Sequence, residues 1–339
     1  MSPDMSPNRK IRIGLNGFGR IGRSILRILL ADRGEFEVVF INDIEPLETC
    51  AYLFKYDSVF GPWPGEVTHG DEALTVDGQS IPFHAHPDIS VMDLSDVDIV
   101  FECTGMAGKR AMAERGLAAG AGRVLISGPS EEADITVVLG ANDHDLRDQK
   151  IISNASCTTN ALAPLLAVID REWGLIGGHM TTVHCYTGSQ PTVDKPRANP
   201  ARSRAAALSM VPTTTSAHQL VGKVLPALAG KIEARAIRVP TASVSCIDLV
   251  VELENEIPET IARTRLKEIA RASPVLGWTE EPLVSSDLRM RPESLVIAGP
   301  ELSVSPGGLL RVFGWYDNEW GFSNRMLDMA RMMRQGVDC

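Results

Sequence analysis

The sequence has no paired-cysteine motif, no long hydrophobic run and no surplus of positive charge. Its six cysteines stand at positions 50, 103, 157, 185, 246 and 339, without a CxxC pair or a metal-ligand spacing. In a chain of 339 residues, such isolated cysteines are typical of reduced thiols inside the cell. We therefore expect neither a disulfide framework nor a metal site.

Membrane and nucleic-acid functions are also disfavoured. The longest apolar run, residues 161–169, contains a proline and is far shorter than the roughly 20 residues that a membrane span needs. Residues 1–9 are polar, unlike a secretory signal. The net charge of −10 argues against a general nucleic-acid or anionic-membrane partner. We expect a soluble, cytoplasmic protein.

The length of the chain and its hydrophobic patterns predict two domains. In the first half, apolar strand candidates at residues 10–16, 37–41, 98–102 and 123–127 alternate with helical segments, which predicts an α/β doubly wound parallel sheet of the Rossmann type. In the second half, strand candidates at residues 180–184, 234–239, 244–253 and 309–315 predict an α+β catalytic domain with a mainly antiparallel sheet. We place the boundary after residue 157.

A glycine-rich turn follows the first strand. Gly17, Gly19 and Gly22 form G-x-G-x-x-G between a strand and an amphipathic helix, the pattern that brings backbone close to a pyrophosphate. Alone, such a motif is as often a plain turn. Asp43 ends the second strand, 21 residues after Gly22, where a carboxylate would bind the adenosine ribose and repel a 2′-phosphate. NAD is therefore favoured over NADP.

Two further strand ends and one hairpin complete this half. Thr104 lies after the strand at 98–102, and Ser127 ends the strand at 123–127. Both are at the sheet edge where such folds bind cofactors, although ordinary loop chemistry explains each of them alone. Asp77 and Gly78 separate two short apolar segments and predict a tight hairpin.

The stretch Ser153–Asn160 (SNASCTTN) holds the strongest candidate for a nucleophile. Cys157 lies between a strand candidate and an apolar helical run, so we expect it at a helix N-terminus. There the helix dipole and the unpaired N–H groups would stabilise a thiolate and an oxyanion. A lone cysteine is more often a small buried hydrophobe, so the prediction depends on what surrounds it.

His184 and a basic segment supply the remaining chemistry. His184 ends the strand at 180–184 and could form an ion pair with Cys157 and transfer a proton. Residues 195–238 hold eight lysines and arginines against one acid, together with the hydroxyl run 213–216, a combination that suits phosphate oxygens. A thiolate, a nicotinamide and phosphate sites together predict aldehyde oxidation through a hemithioacetal and a thioester.

The chain resembles the phosphorylating glyceraldehyde-3-phosphate dehydrogenase family from about residue 11 to the C-terminal helix. The motifs that carry the resemblance are NGFGRIGR at 16–23, KYDS at 55–58, SNASCTTN at 153–160, RVPT at 238–241 and WYDNE at 315–319.

The resemblance implies NAD-dependent oxidation of glyceraldehyde 3-phosphate with inorganic phosphate, with Cys157 as nucleophile and His184 as base. Arg20 and Ile21 would lie along the pyrophosphate, and Asn318 would hold the nicotinamide carboxamide. Thr187 and Arg238 would bind the substrate phosphate. The attacking phosphate would be bound by Ser156, Thr158, Thr215 and Arg202, with the backbone of Ser216. It also implies a homotetramer in which segment 187–203 packs against a neighbour, and a last helix (323–339) that returns to the NAD-binding domain.

Some positions depart from the family pattern. Ser216 replaces a usual glycine and crowds the phosphate, and Ser189 replaces a common aspartate. Lys195, before Pro196, could tolerate a 2′-phosphate and so weaken the preference for NAD. Phe322 stands where tyrosine is common, and the run after it resembles the sister family, erythrose-4-phosphate dehydrogenase.

Three alternatives follow from these residues. The sister enzyme would hydrolyse the thioester with water, but Asp43, Thr187 and the hydroxyls at 213–215 argue against it. A non-catalytic nucleotide-binding paralogue would not need the intact Cys157 and His184. A nucleic-acid binder would use the basic segment, against the net charge of −10.

Overall fold

The computed structural model describes residues 9–32 and 34–335 of the chain. These residues form two compact units. Within the described part, the first unit comprises residues up to 137, residues 144–155 and the last helix from residue 323 onward, and the second comprises residues 138–143 and 156–322.

The first unit is built on a nine-stranded sheet. In chain order its elements are β1 (Ile11–Asn16), α1 (Arg20–Ala31), β2 (Phe36–Asn42), α2 (Leu47–Lys55), β3 (Tyr56–Asp57), β4 (Gly61–Pro62), β5 (Val67–His69), β6 (Ala73–Val76), β7 (Gln79–His84), β8 (Ile99–Glu102), α3 (Arg110–Ala118), β9 (Arg123–Ile126), β10 (Ile135–Thr136) and β11 (Ile151–Ser153). The sheet order is β10-β11-β9-β8-β1-β2-β7-β6-β5, and β3 pairs with β4 separately.

The strands from β10 to β7 pair in parallel, and β6 and β5 extend the sheet in antiparallel fashion. Strands β8 and β9 are buried along their whole length, as expected for parallel strands covered on both faces. Val100, Val124 and Ile151 from neighbouring strands share a core cluster with Ala113 of α3. The predicted doubly wound sheet is confirmed.

The predicted hairpin joins β6 to β7. Asp77 and Gly78 both have positive φ, 49° and 79°, as a two-residue turn between twisted antiparallel strands requires. Local turn chemistry therefore determines this element, and its prediction is confirmed.

The second unit contains an eight-stranded sheet. Its elements are α4 (Cys157–Trp173), β12 (Leu175–Cys185), β13 (Val211–Thr213), α5 (Ala217–Val224), β14 (Ile232–Val239), β15 (Ser245–Leu253), α6 (Glu259–Ala272), β16 (Leu276–Thr279), β17 (Leu295–Ala298), β18 (Ser303–Val304) and β19 (Leu310–Tyr316). The order is β13-β14-β12-β15-β19-β17-β16, with β18 beside β19.

Most pairs in this sheet are antiparallel, and β12–β14 and β16–β17 are parallel. Along β19, buried and half-buried residues alternate, the pattern of a strand with one covered face. The predicted mainly antiparallel sheet is confirmed.

Helix α7 (Trp320–Gln335) ends the described chain, and its residues from 323 onward belong to the first unit. The buried guanidinium of Arg123 donates to the carbonyl oxygen of Met333 at 2.5 Å. Arg331 forms an ion pair with Glu35 and lies 5.2 Å from the centre of the Phe36 ring. Both contacts hold this helix against the parallel sheet and its flanking segments. Residues 336–339 of the predicted last helix lie outside the described residues.

Two features are missing from residues 9–32 and 34–335. None of the helices there combines the length and apolar character that a membrane crossing needs. Nor do three or more His, Cys, Asp or Glu side chains of that part of the chain come together in an arrangement that could hold a metal ion.

Candidate active site

The glycine-rich turn of the first unit requires glycine at two positions. Gly17 has φ +95°, and a Cβ there would lie 2.6 Å from the carbonyl carbon of Cys103. A Cβ at Gly22 would lie 2.2 Å from the carbonyl oxygen of Gly17. The backbone therefore makes contacts that any larger residue would block.

Gly19 faces open space instead. A Cβ built on it meets nothing within 4 Å, and no side chain in the described chain caps α1 at this residue. The first N–H groups of an α-helix have no acceptor within the helix, so the start of α1 can bind an anion. The side chain of Arg20 forms an ion pair with the buried Asp57, so its contribution to an anion site comes from its backbone. The turn fits a dinucleotide pyrophosphate.

Asp43 lies beside the same turn. One oxygen of its carboxylate accepts from the backbone N–H of Phe18 at 2.6 Å, and the other accepts from that of Glu45 at 3.0 Å. The acid that the spacing predicted as a ribose ligand is therefore fixed at the glycine-rich turn. A carboxylate in this position suits a ribose diol and opposes a 2′-phosphate.

A buried polar network that the sequence analysis did not find supports the ends of these strands. Asn16 donates to the carboxylate of Glu102, and Asn42 donates to Asn16 at 2.9 Å. The backbone N–H and hydroxyl of Thr104 also donate to Glu102. Burial raises the pKa of Glu102, and these donors oppose that shift. The sequence signal for this network is the polar residue at the end of each apolar strand: Asn16, Asn42 and Glu102.

This network carries two of the predicted cofactor residues. Thr104 is exposed and bound to Glu102, while Ser127 is half-buried and donates its backbone N–H to the carbonyl oxygen of Glu102 at 3.0 Å. The structure thus groups Asp43, Thr104 and Ser127 at the carboxyl ends of β2, β8 and β9. Ligands of open parallel sheets bind at such ends.

In the second unit, Cys157 is the first residue of α4, as the sequence predicted. The hydroxyl of Ser156 caps this helix by accepting from the backbone N–H of Thr159 at 3.1 Å. The N–H groups of the first turn point toward the region of the Cys157 side chain, so they can stabilise negative charge on a group bound there.

His184, at the end of β12, faces this cysteine. Its Nε2 lies 3.7 Å from Cys157 Sγ, and its Nδ1 lies 2.7 Å from the carbonyl oxygen of Cys185. The carbonyl oxygen can only accept and so favours a hydrogen on Nδ1, whereas the guanidinium of Arg238 can only donate and favours an unprotonated Nδ1. We assign the first tautomer, which leaves Nε2 as an acceptor for the thiol proton. Arg238 donates to the same carbonyl at 3.0 Å and lies 2.7 Å from Nδ1.

Charge and burial set the protonation of this pair. Burial, together with the positive charge of Arg238, lowers the pKa of His184 to about 4. Burial also raises the pKa of the Cys157 thiol, against the opposing effects of Arg238 and the hydrogen bond from Thr158. Desolvation therefore opposes the expected thiolate–imidazolium pair in the ligand-free chain, because burial disfavours both charges, and it favours a neutral thiol beside a neutral base.

Tyr316 is a second neighbour that the sequence analysis did not single out. Its buried hydroxyl lies 2.9 Å from Thr158 Oγ1 and 2.8 Å from Thr182 Oγ1, and its ring packs edge-on against His184. Its position within the WYDNE motif was the available signal. These contacts fix the first turn of α4 and the end of β12 relative to each other.

The predicted phosphate ligands form smaller groups in the same unit. Arg202 is exposed and donates to Thr213 Oγ1 at 2.5 Å and to the carbonyl oxygen of Thr214 at 3.2 Å. Three more of the predicted ligands are Thr215, Ser216 and Thr187. Thr215 accepts from the N–H of Ala217 at 3.2 Å, Ser216 precedes α5, and Thr187 Oγ1 lies 2.9 Å from Ser189 Oγ. Lys195 is exposed.

Asn318 lies directly after β19 and is buried. Its Oδ1 accepts from Cys185 Sγ at 3.1 Å and lies 3.5 Å from Ser245 Oγ. Cys185 and Ser245 were not predicted, since no sequence motif marks them.

Both parts of the chain match described protein families. Residues 11–110 match "Glyceraldehyde 3-phosphate dehydrogenase, NAD binding domain", and residues 156–318 match "Glyceraldehyde 3-phosphate dehydrogenase, C-terminal domain".

Curated relatives match nearly the whole chain. A glyceraldehyde-3-phosphate dehydrogenase of Pseudomonas aeruginosa is 46% identical over 97% of this chain and 99% of its own length. The corresponding protein of Xanthobacter flavus is 45% identical over 95% and 98%. Glyceraldehyde-3-phosphate dehydrogenase 1 of Bacillus subtilis is 43% identical over 94% and 97%.

Proposed function

Because the chain belongs to the glyceraldehyde-3-phosphate dehydrogenase family, we propose that it oxidises glyceraldehyde 3-phosphate with NAD and inorganic phosphate to 1,3-bisphosphoglycerate. The observation that carries this proposal is the thiol of Cys157, at the start of α4, 3.7 Å from Nε2 of a neutral His184. A neutral base at that distance can accept the thiol proton when the substrate is bound and so activate the nucleophile.

The first step joins substrate to enzyme. Nε2 of His184 takes the thiol proton as Cys157 Sγ forms a bond to the aldehyde carbon, and the carbonyl oxygen becomes an alkoxide. N–H groups at the start of α4 stabilise this charge until His184 returns the proton and a hemithioacetal results. Since desolvation keeps the resting thiol neutral, the charge appears only when substrate arrives.

The second step is oxidation, in which His184 removes the hydroxyl proton of the hemithioacetal. NAD, when bound, supplies the acceptor for the hydride that leaves the same carbon. In the first unit, Gly17, Gly19, Arg20, Ile21 and Gly22 would hold its pyrophosphate, and Asp43 its ribose. Thr104 and Ser127 would line the same sheet edge, and Asn318 would hold the nicotinamide carboxamide.

The last step releases the product. An oxygen of inorganic phosphate attacks the thioester carbon, the carbon–sulfur bond breaks, and Cys157 leaves as a thiolate that regains its proton. We assign Thr187 and Arg238 to the substrate's phosphate. Ser156, Thr158, Arg202, Thr215 and the backbone of Ser216 are assigned to the attacking phosphate. Two contacts support these assignments. Arg202 donates to Thr213 Oγ1 and to the carbonyl oxygen of Thr214, and Arg238 lies beside His184.

Asp43→Ala should relax the preference for NAD over NADP by roughly tenfold or more, equivalent to about 1.4 kcal/mol. The reason is that removing a carboxylate from the glycine-rich turn removes the repulsion of a 2′-phosphate. The ratio of kcat/KM for the two cofactors measures this. Asp71→Ala, an exposed acid of the same unit, serves as control. An unchanged ratio would count against a ribose contact of Asp43.

Arg238→Ala should raise KM for glyceraldehyde 3-phosphate by roughly 10- to 100-fold, the worth of a hydrogen bond to a charged group. Steady-state kinetics with triose and NAD varied separately measure it. Arg235→Ala removes an exposed arginine of the same strand and should leave KM unchanged. An effect confined to NAD would contradict the assignment of Arg238.

We further propose that residues 11–157 together with residues 323–339 serve as the NAD-binding domain, and residues 158–322 as the catalytic domain. We also propose a cytoplasmic homotetramer that uses segment 187–203. The exposed side chains of Val193, Leu208 and Met210, in or just after that segment, support an interface there. Light scattering after size-exclusion chromatography tests the assembly, and a monomer at micromolar concentration would rule it out.

The experiment that tests the activity follows NADH formation from glyceraldehyde 3-phosphate, with and without inorganic phosphate, beside erythrose 4-phosphate. We expect a rate that requires phosphate and favours the triose. Comparable turnover of the tetrose without phosphate would instead indicate the sister reaction. No reduction of NAD with either sugar, from protein that binds NAD, would indicate a non-catalytic nucleotide-binding protein.

A further inference from the structure

Two hydrogen-bond donors converge on one atom of Asn318. Cys185 Sγ lies 3.1 Å and Ser245 Oγ 3.5 Å from Asn318 Oδ1. Cys185 and Ser245 are each 1% exposed and Asn318 is 8% exposed, so water does not compete for these bonds. The three residues come from β12, β15 and the segment after β19, which are adjacent in one sheet.

The direction of each bond is determined by its surroundings. The backbone N–H of Cys185 donates to Ser245 Oγ at 3.1 Å, so the serine hydroxyl hydrogen can be directed to Asn318 Oδ1, with the Cys185 sulfur as its other neighbour. Burial raises the pKa of the Cys185 thiol to about 12, so the thiol keeps its proton and can donate. Oδ1 of Asn318 is therefore the acceptor of two donors.

This arrangement distinguishes the two ends of the Asn318 amide. Rotating the amide by 180° would leave the Cys185 thiol without its acceptor and would turn the NH2 group toward Ser245 Oγ, which already accepts from the N–H of Cys185. Within the described part of the chain, Nδ2 has no acceptor. The orientation therefore leaves an amide NH2 group as the free donor of this side chain.

Cys185 also connects this amide to the catalytic base. Its carbonyl oxygen accepts from Nδ1 of His184 at 2.7 Å, while its side chain donates to Asn318. One residue thus orients both groups, through its main chain and its side chain respectively.

We propose that Cys185 is a positioning residue whose thiol, with the hydroxyl of Ser245, holds Asn318 so that Nδ2 donates to the nicotinamide carboxamide. This inference rests on the proposed function, because it takes Asn318 as the ligand of that carboxamide. A flipped Asn318 would present Oδ1 in place of the NH2 donor, and the carboxamide would have to rotate to pair with it. Losing the donor that holds Asn318 therefore weakens the binding of the nicotinamide half of NAD.

The test compares binding of NAD and ADP-ribose, which lacks the nicotinamide, by calorimetry on the full chain. Cys185→Ala should raise Kd for NAD by about fivefold, the worth of one neutral hydrogen bond, and leave Kd for ADP-ribose unchanged. Cys185→Ser retains a donor and should restore NAD affinity. Ser245→Ala should also weaken NAD binding, which keeps the test valid if Cys185→Ala does not fold.

Cys246→Ala is the matched control, since it removes another buried thiol from the same sheet without touching Asn318. In an Asn318→Ala background, Cys185→Ala should have no further effect on NAD. Equal loss of NAD and ADP-ribose affinity, a loss equal to that of Cys246→Ala, or a loss that persists without Asn318 would overturn the proposal.

These readouts separate the inference from the proposed function. A chain that shows the NAD-specific loss but does not oxidise glyceraldehyde 3-phosphate would keep the role of Cys185 and refute the activity. A chain that oxidises the triose but binds NAD equally well with and without the Cys185 thiol would keep the activity and refute the role of Cys185.

Discussion

Cys157→Ser should lower turnover of glyceraldehyde 3-phosphate by roughly 10⁴-fold or more, because the substitution removes the nucleophile itself. A hydroxyl in place of the thiol ionises far less readily, and an ester is a poorer acyl donor to phosphate than a thioester. NAD binding should stay within about threefold of the original chain, because Cys157 donates nothing to the cofactor's pyrophosphate or ribose. Initial rates of NADH formation and calorimetric titration measure the two effects.

The matched control for this prediction is Cys246→Ser, which changes a buried cysteine of the same unit. It should leave kcat unchanged, so a loss specific to Cys157 reports chemistry and not the general loss of a thiol. Retained turnover in Cys157→Ser would refute the assignment of Cys157 as the nucleophile.

His184→Asn should lower kcat by about 10²- to 10⁴-fold, the usual worth of a general base. The residual rate should rise with pH, by about tenfold per unit, because the Cys157 thiol must then ionise without help and burial holds its pKa above the ordinary value. In the original chain, the pKa of His184 is about 4, so its protonation does not change between pH 6 and 8. The rate should therefore not vary with pH in this range through His184.

Rate profiles of both proteins from pH 6 to 9 provide the measurement. His179→Asn, an exposed histidine of the same strand, should behave like the original chain. A variant whose slow rate is independent of pH would show that His184 does not act as the base.

The same histidine should make stability depend on pH. Its pKa is about 4 when folded and about 6.5 when unfolded, so between these values the unfolded chain binds more protons. The stability due to a neutral His184 is complete above about pH 6.5 and is lost as the pH falls toward 4. The free energy of unfolding, relative to His184→Asn, should therefore drop by about 3 kcal/mol from pH 7 to pH 4. An unchanged difference in denaturant titrations would contradict a buried neutral imidazole.

Features that depend on neighbouring residues were predictable from sequence. The turn at Gly17–Gly22, the hairpin at Asp77–Gly78 and the position of Cys157 at the start of α4 each follow from local backbone requirements. Both sheets were predictable as well, because continuous apolar strands and alternating strands signal different surroundings.

The site geometry depends on contacts between distant segments and was harder to predict. His184 is 27 residues from Cys157, and Tyr316 is 158 residues from Thr158, so no local pattern reports either distance. The pKa of Cys157 was predicted in the wrong direction because the helix terminus is visible in sequence, whereas desolvation depends on the folded surroundings. Cys185 was missed for the same reason.

The last helix has a consequence for how the chain is made. Arg123 reaches an acceptor 210 residues further on, and Arg331 pairs with Glu35 across 296 residues. During synthesis, the carbonyl oxygen of Met333 that accepts from the buried guanidinium of Arg123 is missing until residue 333 has left the ribosome, and a buried charge with incomplete hydrogen bonding is costly. The first unit therefore begins to form first but is completed last, after the whole second unit has been translated. A nascent chain paused before the final helix would hold a finished second unit and an unfinished first one, the reverse of the usual N-terminal-first order.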